Sequence, residues 1–105
     1  MLGGIVRNIT KGGTIVGGIE YLMTTSPIPA AERDSVANQV LSAFAAKATE
    51  KSTVGGRAVR QVDHAHGTSV GAVAWADGSN LILIWGGSLM DARALATDYM
   101  AHQHR

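Results

Sequence analysis

Cysteine is absent from the 105 residues and proline occurs only twice. Without cysteine there is no disulfide framework, thiol nucleophile, thiolate-ligated zinc or iron–sulfur cluster. Charge of either sign is scarce: nine Lys and Arg stand against eight Asp and Glu, a net charge of +1 with His neutral, and charged residues are 16% of the chain. The basic residues are scattered along the sequence, so no stripe for a phosphate backbone forms, and nucleic acid is not an expected partner. Long apolar runs are missing too. The longest, Val70–Ala76 and Leu81–Trp85, fall far short of the roughly 20 residues a membrane-spanning helix needs. Met1–Arg7 has no charged segment leading into an unbroken apolar run, so neither a signal peptide nor a membrane span is expected. What is present is apolar: hydrophobic residues are 46% of the chain, enough to build one core at this length. A single soluble, cytoplasmic domain over residues 1–105 is the expectation.

The order of elements follows from punctuation and periodicity. Gly4–Thr10 and Thr14–Thr24 are β-favouring runs separated by Lys11-Gly12-Gly13, which suits a hairpin. Gly17-Gly18 inside the second run points to a bulge or to close approach of another backbone. Pro27 and Pro29 then stop the strand, and a helix is expected from Pro29 or Ala30 to about Lys51. Along it Val36, Val40, Leu41, Phe44, Ala45 and Ala48 recur at helical spacing, and the charges, Glu32 and Asp34 early, Lys47 and Lys51 late, match the helix dipole. Gly55-Gly56 can supply left-handed backbone just beyond it.

Three strands are expected next: Arg57–His64, Ser69–Ala76 and Asn80–Trp85. Asp77-Gly78 is a hairpin signal, and His66-Gly67 a plausible first turn. Leu81–Trp85 is apolar at successive positions and belongs inside the sheet, whereas the mixed Arg57–His64 reads as an edge strand. Ser88-Leu89-Met90-Asp91 fits a capping box that opens a second helix with Leu89, Ala92, Leu95, Ala96 and Tyr99 on one face. The expected fold is α+β, an antiparallel five-stranded sheet in the order β-β-α-β-β-β-α.

Chemistry is thinly signalled. His64 and His66 form an H-x-H pair that would share one face of a strand, and His102 and His104 form another on a helix end, where such residues diverge. The plain reading is surface histidines in a turn and a tail, and no metal is expected. Five Gly-Gly pairs lack the Gly-Lys-Ser/Thr or G-x-G-x-x-G context of a phosphate-binding loop. Ser69, His64 and Asp77 could make a hydrolase triad only by assembling in space, and each has an adequate turn explanation. Neither a catalytic role nor a cofactor is expected. The more informative feature is an excess of apolar surface: Val59, Val62, Val70, Val73, Trp75 and Leu81–Trp85 supply both sheet faces, with two helices to cover them. A partner chain is the natural cover for the remainder. Val36, Val40 and Phe44 either pack helix on sheet or form a dimer seam.

The segment Gly55-Gly56-Arg57-Ala58-Val59-Arg60-Gln61-Val62 resembles the Roadblock family, in which a central helix is followed by a Gly-rich turn and a strand of the form V-R-Q-V. Val70–Ala76, the Asp77-Gly78-Ser79-Asn80 turn into Leu81–Trp85, the closing helix from Ser88 and the Ile5–Ile19 hairpin are similar to that family's order of elements. The family usually has a helix before its first hairpin, where this chain begins in the strand. The resemblance implies a Roadblock- or profilin-like arrangement and a homodimer. Its interface would pair Arg57–His64 with its twofold mate, engaging Arg57, Val59, Arg60, Gln61, Val62 and His64, while Val36, Val40 and Phe44 pack across the axis. It further implies a noncatalytic adaptor or regulator of a small Ras-like GTPase or related signalling complex. A domain of another class, binding a small molecule or a metal on the uncovered sheet face near His64 and His66, is the alternative.

Overall fold

Gly12 and Gly13 adopt φ of +57° and +82°, left-handed backbone that glycine tolerates without penalty. They close a hairpin between β1 (Gly3–Lys11) and β2 (Thr14–Met23) in the computed structural model, which describes residues 3–103. The pairing shifts between Ile9 and Thr10, opposite Gly17 and Ile15, so Val16 is the extra residue of a bulge. The bulge thus falls just before Gly17-Gly18, while the close approach is at Gly17, where a Cβ would sit 2.3 Å from the Trp85 carbonyl oxygen; on Gly18 a Cβ would sit 2.3 Å from the Trp85 indole nitrogen.

After Pro29 the chain makes a 3-10 turn over Ala30–Glu32 and enters α1 (Arg33–Ala45). The helix is shorter than expected. Ala46, at φ +55°, ends it in left-handed backbone, Thr49 donates through Oγ1 to Asn38 Oδ1 at 2.5 Å, and Glu50–Val54 becomes a strand, β3. Lys51 therefore lies on a strand. Gly55 and Gly56 form the two-residue turn into β4 (Arg57–Val62), and after a short turn at Ala65–Gly67 come β5 (Gly71–Asp77), β6 (Asn80–Gly86) and α2 (Leu89–Gln103). Of the expected capping box, Ser88 Oγ accepts from the Asp91 N–H at 3.1 Å.

The fold is α+β with an antiparallel sheet and two helices, but the sheet has six strands, in the order β1-β2-β6-β5-β4-β3. The sixth corrects a second expectation. Because β3 pairs along the outer side of β4 from Glu50↔Gln61 to Val54↔Arg57, Arg57–His64 is no edge strand, and it ends at Val62. The edges are β1 and β3. Leu81–Trp85 does lie inside the sheet, on β6 between β2 and β5.

Alternation along each strand sorts side chains to two faces, and one helix covers each. Under α1, Ala37, Leu41 and Ala45 pack on Val62, Ala72, Ala74, Leu81 and Leu83. On the opposite face Ala96 and Met100 of α2 pack with Val54, Val59, Val73, Trp75, Ile82 and Ile84. Leu41, Leu81, Leu83, Ile84, Val62 and Val73 are wholly buried, each worth about 1.5–3 kcal/mol of transfer free energy. The two helices thus cover most of what was expected to stay bare. Only Val70 and Trp85 of that set remain half-buried. No helix among the described residues is long and apolar enough to cross a membrane.

Candidate functional site

On the α1 face the covering is lopsided. At 100° per residue, Ala37, Leu41 and Ala45 form the buried stripe of α1. Asp34 lies in line with that stripe, a turn before Ala37, and Asn38 flanks it; Asp34 meets Arg60 of β4 and Asn38 meets Thr49 just before β3. Val36, Val40 and Phe44 flank it on the other side, half-buried against the core together with Leu22, Val70 and Trp85. Among the described residues α1 packs on β4 and β5, only slightly on β6, and leaves β1 and β2 without a helix on this face. Trp85 rests on Gly18, where the missing side chain lets the indole lie flat on the backbone. Outside it, Phe44, Ala65, His66, Thr68, Val70 and Trp85 line an open recess of about 270 Å³. Farther out, Val6, opposite Glu20, is 69% exposed. The result is an apolar trough from the flank of α1 to Trp85; Glu20, on the same face, stands between Trp85 and Leu22 and beside Val6.

The two sheet edges differ. β3 is five residues long and carries Glu50 and Lys51. It is clasped by Arg93 of α2, which donates to Ser52 Oγ at 2.8 Å, Gln61 Oε1 at 2.6 Å and the Thr53 carbonyl at 2.9 Å. β1 is nine residues long, its outer backbone has no strand beside it, and Ile5 joins Val6 among its exposed side chains. Short, charged edges resist pairing with another chain, while long apolar ones invite it.

The residues expected at a dimer seam therefore fall into two groups. Val36, Val40 and Phe44 line the trough. The β4 residues do not join them: Val59 and Val62 are buried under opposite helices, Gln61 is held by Arg93, and Arg60 is forked onto Asp34, Nε to Oδ1 at 2.8 Å and a terminal nitrogen to Oδ2 at 2.6 Å. That fork holds the Asp34 carboxyl below, and the Arg60 guanidinium above, its usual range. Arg57 sits 3.8 Å from Asp77.

His64 and His66 are not on a strand. Both adopt left-handed backbone in the β4–β5 connection, His64 lies 3.4 Å from Asp63, and among the described residues no three His, Cys, Asp or Glu side chains gather as a ligand set. His102 Nδ1 meets the Asp98 carbonyl at 2.7 Å, and His104 lies outside the described residues. Ser69 and His64 precede β5 while Asp77 ends it, so the strand's seven residues, roughly 20 Å of extended chain, separate them and no triad forms. A cluster that sequence reasoning missed lies at the end of the sheet on the α2 face, where Tyr21, Arg57, Trp75, Asp77 and Tyr99 line a cleft of about 190 Å³. Tyr21 donates its hydroxyl to that of Tyr99, and burial, then that bond, push the Tyr99 phenol above its ordinary range. A phenol so held is neutral near pH 7 and serves as a hydrogen-bonding group. No family model, no curated protein and no solved structure matches the chain.

Proposed function

We propose that this chain is a noncatalytic interaction module that forms a homodimer and works as an adaptor in a signalling complex, a small Ras-like GTPase being the partner class to which the Roadblock resemblance points. One observation carries the reading: the trough from Val40 and Phe44 to Trp85 is apolar and only half covered, and Val6, 69% exposed, lies beyond Glu20 on the same face. Such surfaces on soluble domains mark association sites. The seam in this reading uses the flank of α1 and the β1–β2 hairpin, and β4 stays out of it.

Light scattering across a dilution series tests the proposal. A dimeric mass that Phe44→Asp reduces to that of a monomer, while His102→Ala leaves it alone, supports it. A monomer at micromolar concentration, or a dimer indifferent to Phe44→Asp, removes it. The alternative, a small-molecule site, takes its support from the recess over Trp85. There a monomer would gain thermal stability with an apolar ligand.

A further inference from the structure

The cleft beside Tyr99 holds two opposite charges that do not bond each other. Alternation along the strands puts Arg57 on one face with Val59, Asp77 with Trp75 and Asn80 with Ile82, and that face is the one under α2. Arg57 and Asp77 approach to 3.8 Å, beyond hydrogen-bond range. Among the described residues no side-chain hydrogen bond engages Arg57, Asp77 or Asn80. The turn between Asp77 and Asn80 is pinned, because the Ile28 N–H donates to the Gly78 carbonyl at 2.8 Å and the Thr24 N–H to the Ser79 carbonyl at 2.9 Å. The polar rim is therefore held in place with its bonding capacity unspent.

The wall of the cleft is aromatic. The Tyr99 ring lies 5.8 Å from that of Tyr21 and 5.9 Å from that of Trp75, centroid to centroid, inclined at 60° and 54°. The Tyr99 hydroxyl accepts from Tyr21, so its own proton has no partner among the described residues, and burial and that bond keep the phenol protonated. Donors and acceptors thus share one small space: the Arg57 guanidinium and the Tyr99 O–H on one side of the ledger, the Asp77 carboxylate and the Asn80 carboxamide oxygen on the other.

Charge selects the ligand. An anion drawn to Arg57 meets Asp77 a few ångströms away, and a cation drawn to Asp77 meets Arg57, so a single charge gains little. A molecule with both charges a few bonds apart satisfies both. At about 190 Å³ the cleft is below the roughly 300 Å³ at which drug-sized pockets begin, so the ligand is small. We infer that this cleft binds a small zwitterion of the α-amino-acid type, its carboxylate on Arg57 and the Tyr99 hydroxyl, its ammonium on Asp77 and the Asn80 carboxamide, and its apolar side chain against the aromatic wall. The cleft lies on the α2 face, opposite the trough, so this binding does not depend on association.

L-Phenylalanine, with 3-phenylpropanoate and 2-phenylethylamine as its single-charge analogues, tests the inference on the ¹⁵N-labelled protein at neutral pH and matched ionic strength. Saturable movement of the Trp75 indole N–H resonance is expected with phenylalanine, while that of Trp85, on the other face, stays still. Each analogue should bind at least about tenfold more weakly, since a charge-assisted contact is worth that factor or more. Arg57→Gln and Asp77→Asn, both at partly exposed positions, should each weaken phenylalanine by a similar factor in a folded chain. No saturable movement at Trp75, equal affinity for the three compounds, or phenylalanine affinity unchanged in both variants overturns the inference. The analogues are compared on the wild-type protein, so a variant that fails to fold leaves the test intact.

Discussion

Gly18→Ala tests how the floor of the trough is built. The added methyl would fall 2.3 Å from Trp85 Nε1, 2.5 Å from Cε2 and 2.8 Å from Cζ2, whereas carbon atoms rest at about 3.5–4.0 Å. The indole must retreat by more than an ångström. It has somewhere to go, because the recess beside Phe44 and Val70 is open, so the cost belongs near the lower end of overpacking, about 1 kcal/mol. For a domain of this size that lowers Tm by about 4–8 °C. Gly17→Ala is the contrast. There the obstacle is the Trp85 carbonyl oxygen at 2.3 Å with Leu95 at 2.7 Å, on backbone paired in the β2–β6 ladder, and a carbonyl cannot swing aside without breaking that pairing. About 3 kcal/mol is expected. Thermal melts give the ranking, and fluorescence gives the mechanism. Trp75 is 3% exposed and stays blue-emitting, while Trp85 pushed into the recess shifts the emission to the red in Gly18→Ala. A Gly18→Ala protein with unchanged Tm and emission, or one less stable than Gly17→Ala, would refute this account of the floor.

Three further outcomes follow from particular contacts. Arg93→Met removes the three bonds that clasp β3 and β4 to α2 and strands the Gln61 and Thr53 acceptors. It should cost about 1–2 kcal/mol, and hydrogen exchange should accelerate first in Glu50–Val54; uniform acceleration would show that β3 is held by its ladder alone. Asp34→Asn should cost at most about 1 kcal/mol at pH 7, because the Asp34 side chain is 51% exposed. Arg60 lowers the folded carboxyl's pKa, so the stability it adds is complete above the unfolded value of about 3.9 and disappears as pH falls through the folded one; a gap between wild type and variant in chemical-denaturation midpoints that does not shrink as the pH is lowered from neutral into the acid range would contradict the pairing. Val6→Lys, at an exposed position opposite Glu20, should leave the unfolding free energy within about 0.5 kcal/mol of wild type while weakening the proposed dimer by light scattering. An unchanged dimer would confine the seam to the flank of α1.

Much of the architecture is legible before any coordinates, and the failures have physical causes. The Gly12-Gly13 hairpin, the close approach at Gly17, the buried β6 run and the Ser88 cap all rest on local geometry that a few residues dictate. β3 was hidden because Ala45–Lys51 continues in Ala, Lys and Glu, good helix formers, past the point where Ala46 turns left-handed. The available signal was Thr53-Val54 running into Gly55-Gly56, two β-branched residues before a two-glycine turn. Missing that strand turned β4 into an edge. The faces of the helices were equally out of reach, since periodicity shows which side of a helix is apolar and not which side of the sheet it meets. Val36, Val40 and Phe44 were visible as apolar. Their place on the flank of the stripe needed the contacts of Asp34 and Asn38 to orient the helix.

The contrast between the edges bears on how association would work. A six-stranded sheet has two open rims, and each must resist adventitious pairing. At β3 the protection is evident in five residues, two of them charged, with Arg93 fastening strand to helix. β1 shows the reverse, nine residues with Ile5 and Val6 exposed, and the single basic side chains Arg7 and Lys11 interrupt it without masking it. If β1 were only a rim, selection against aggregation would favour the same devices there as at β3. A trough running from Trp85 to Phe44 on the same face as Val6, beside that less protected rim, is what one occupant lying across the hairpin and against α1 would cover. A second copy can do this through a twofold axis near Trp85. Each chain would then supply the helix flank that covers the other's hairpin, so that both uncovered surfaces are buried by one symmetric contact.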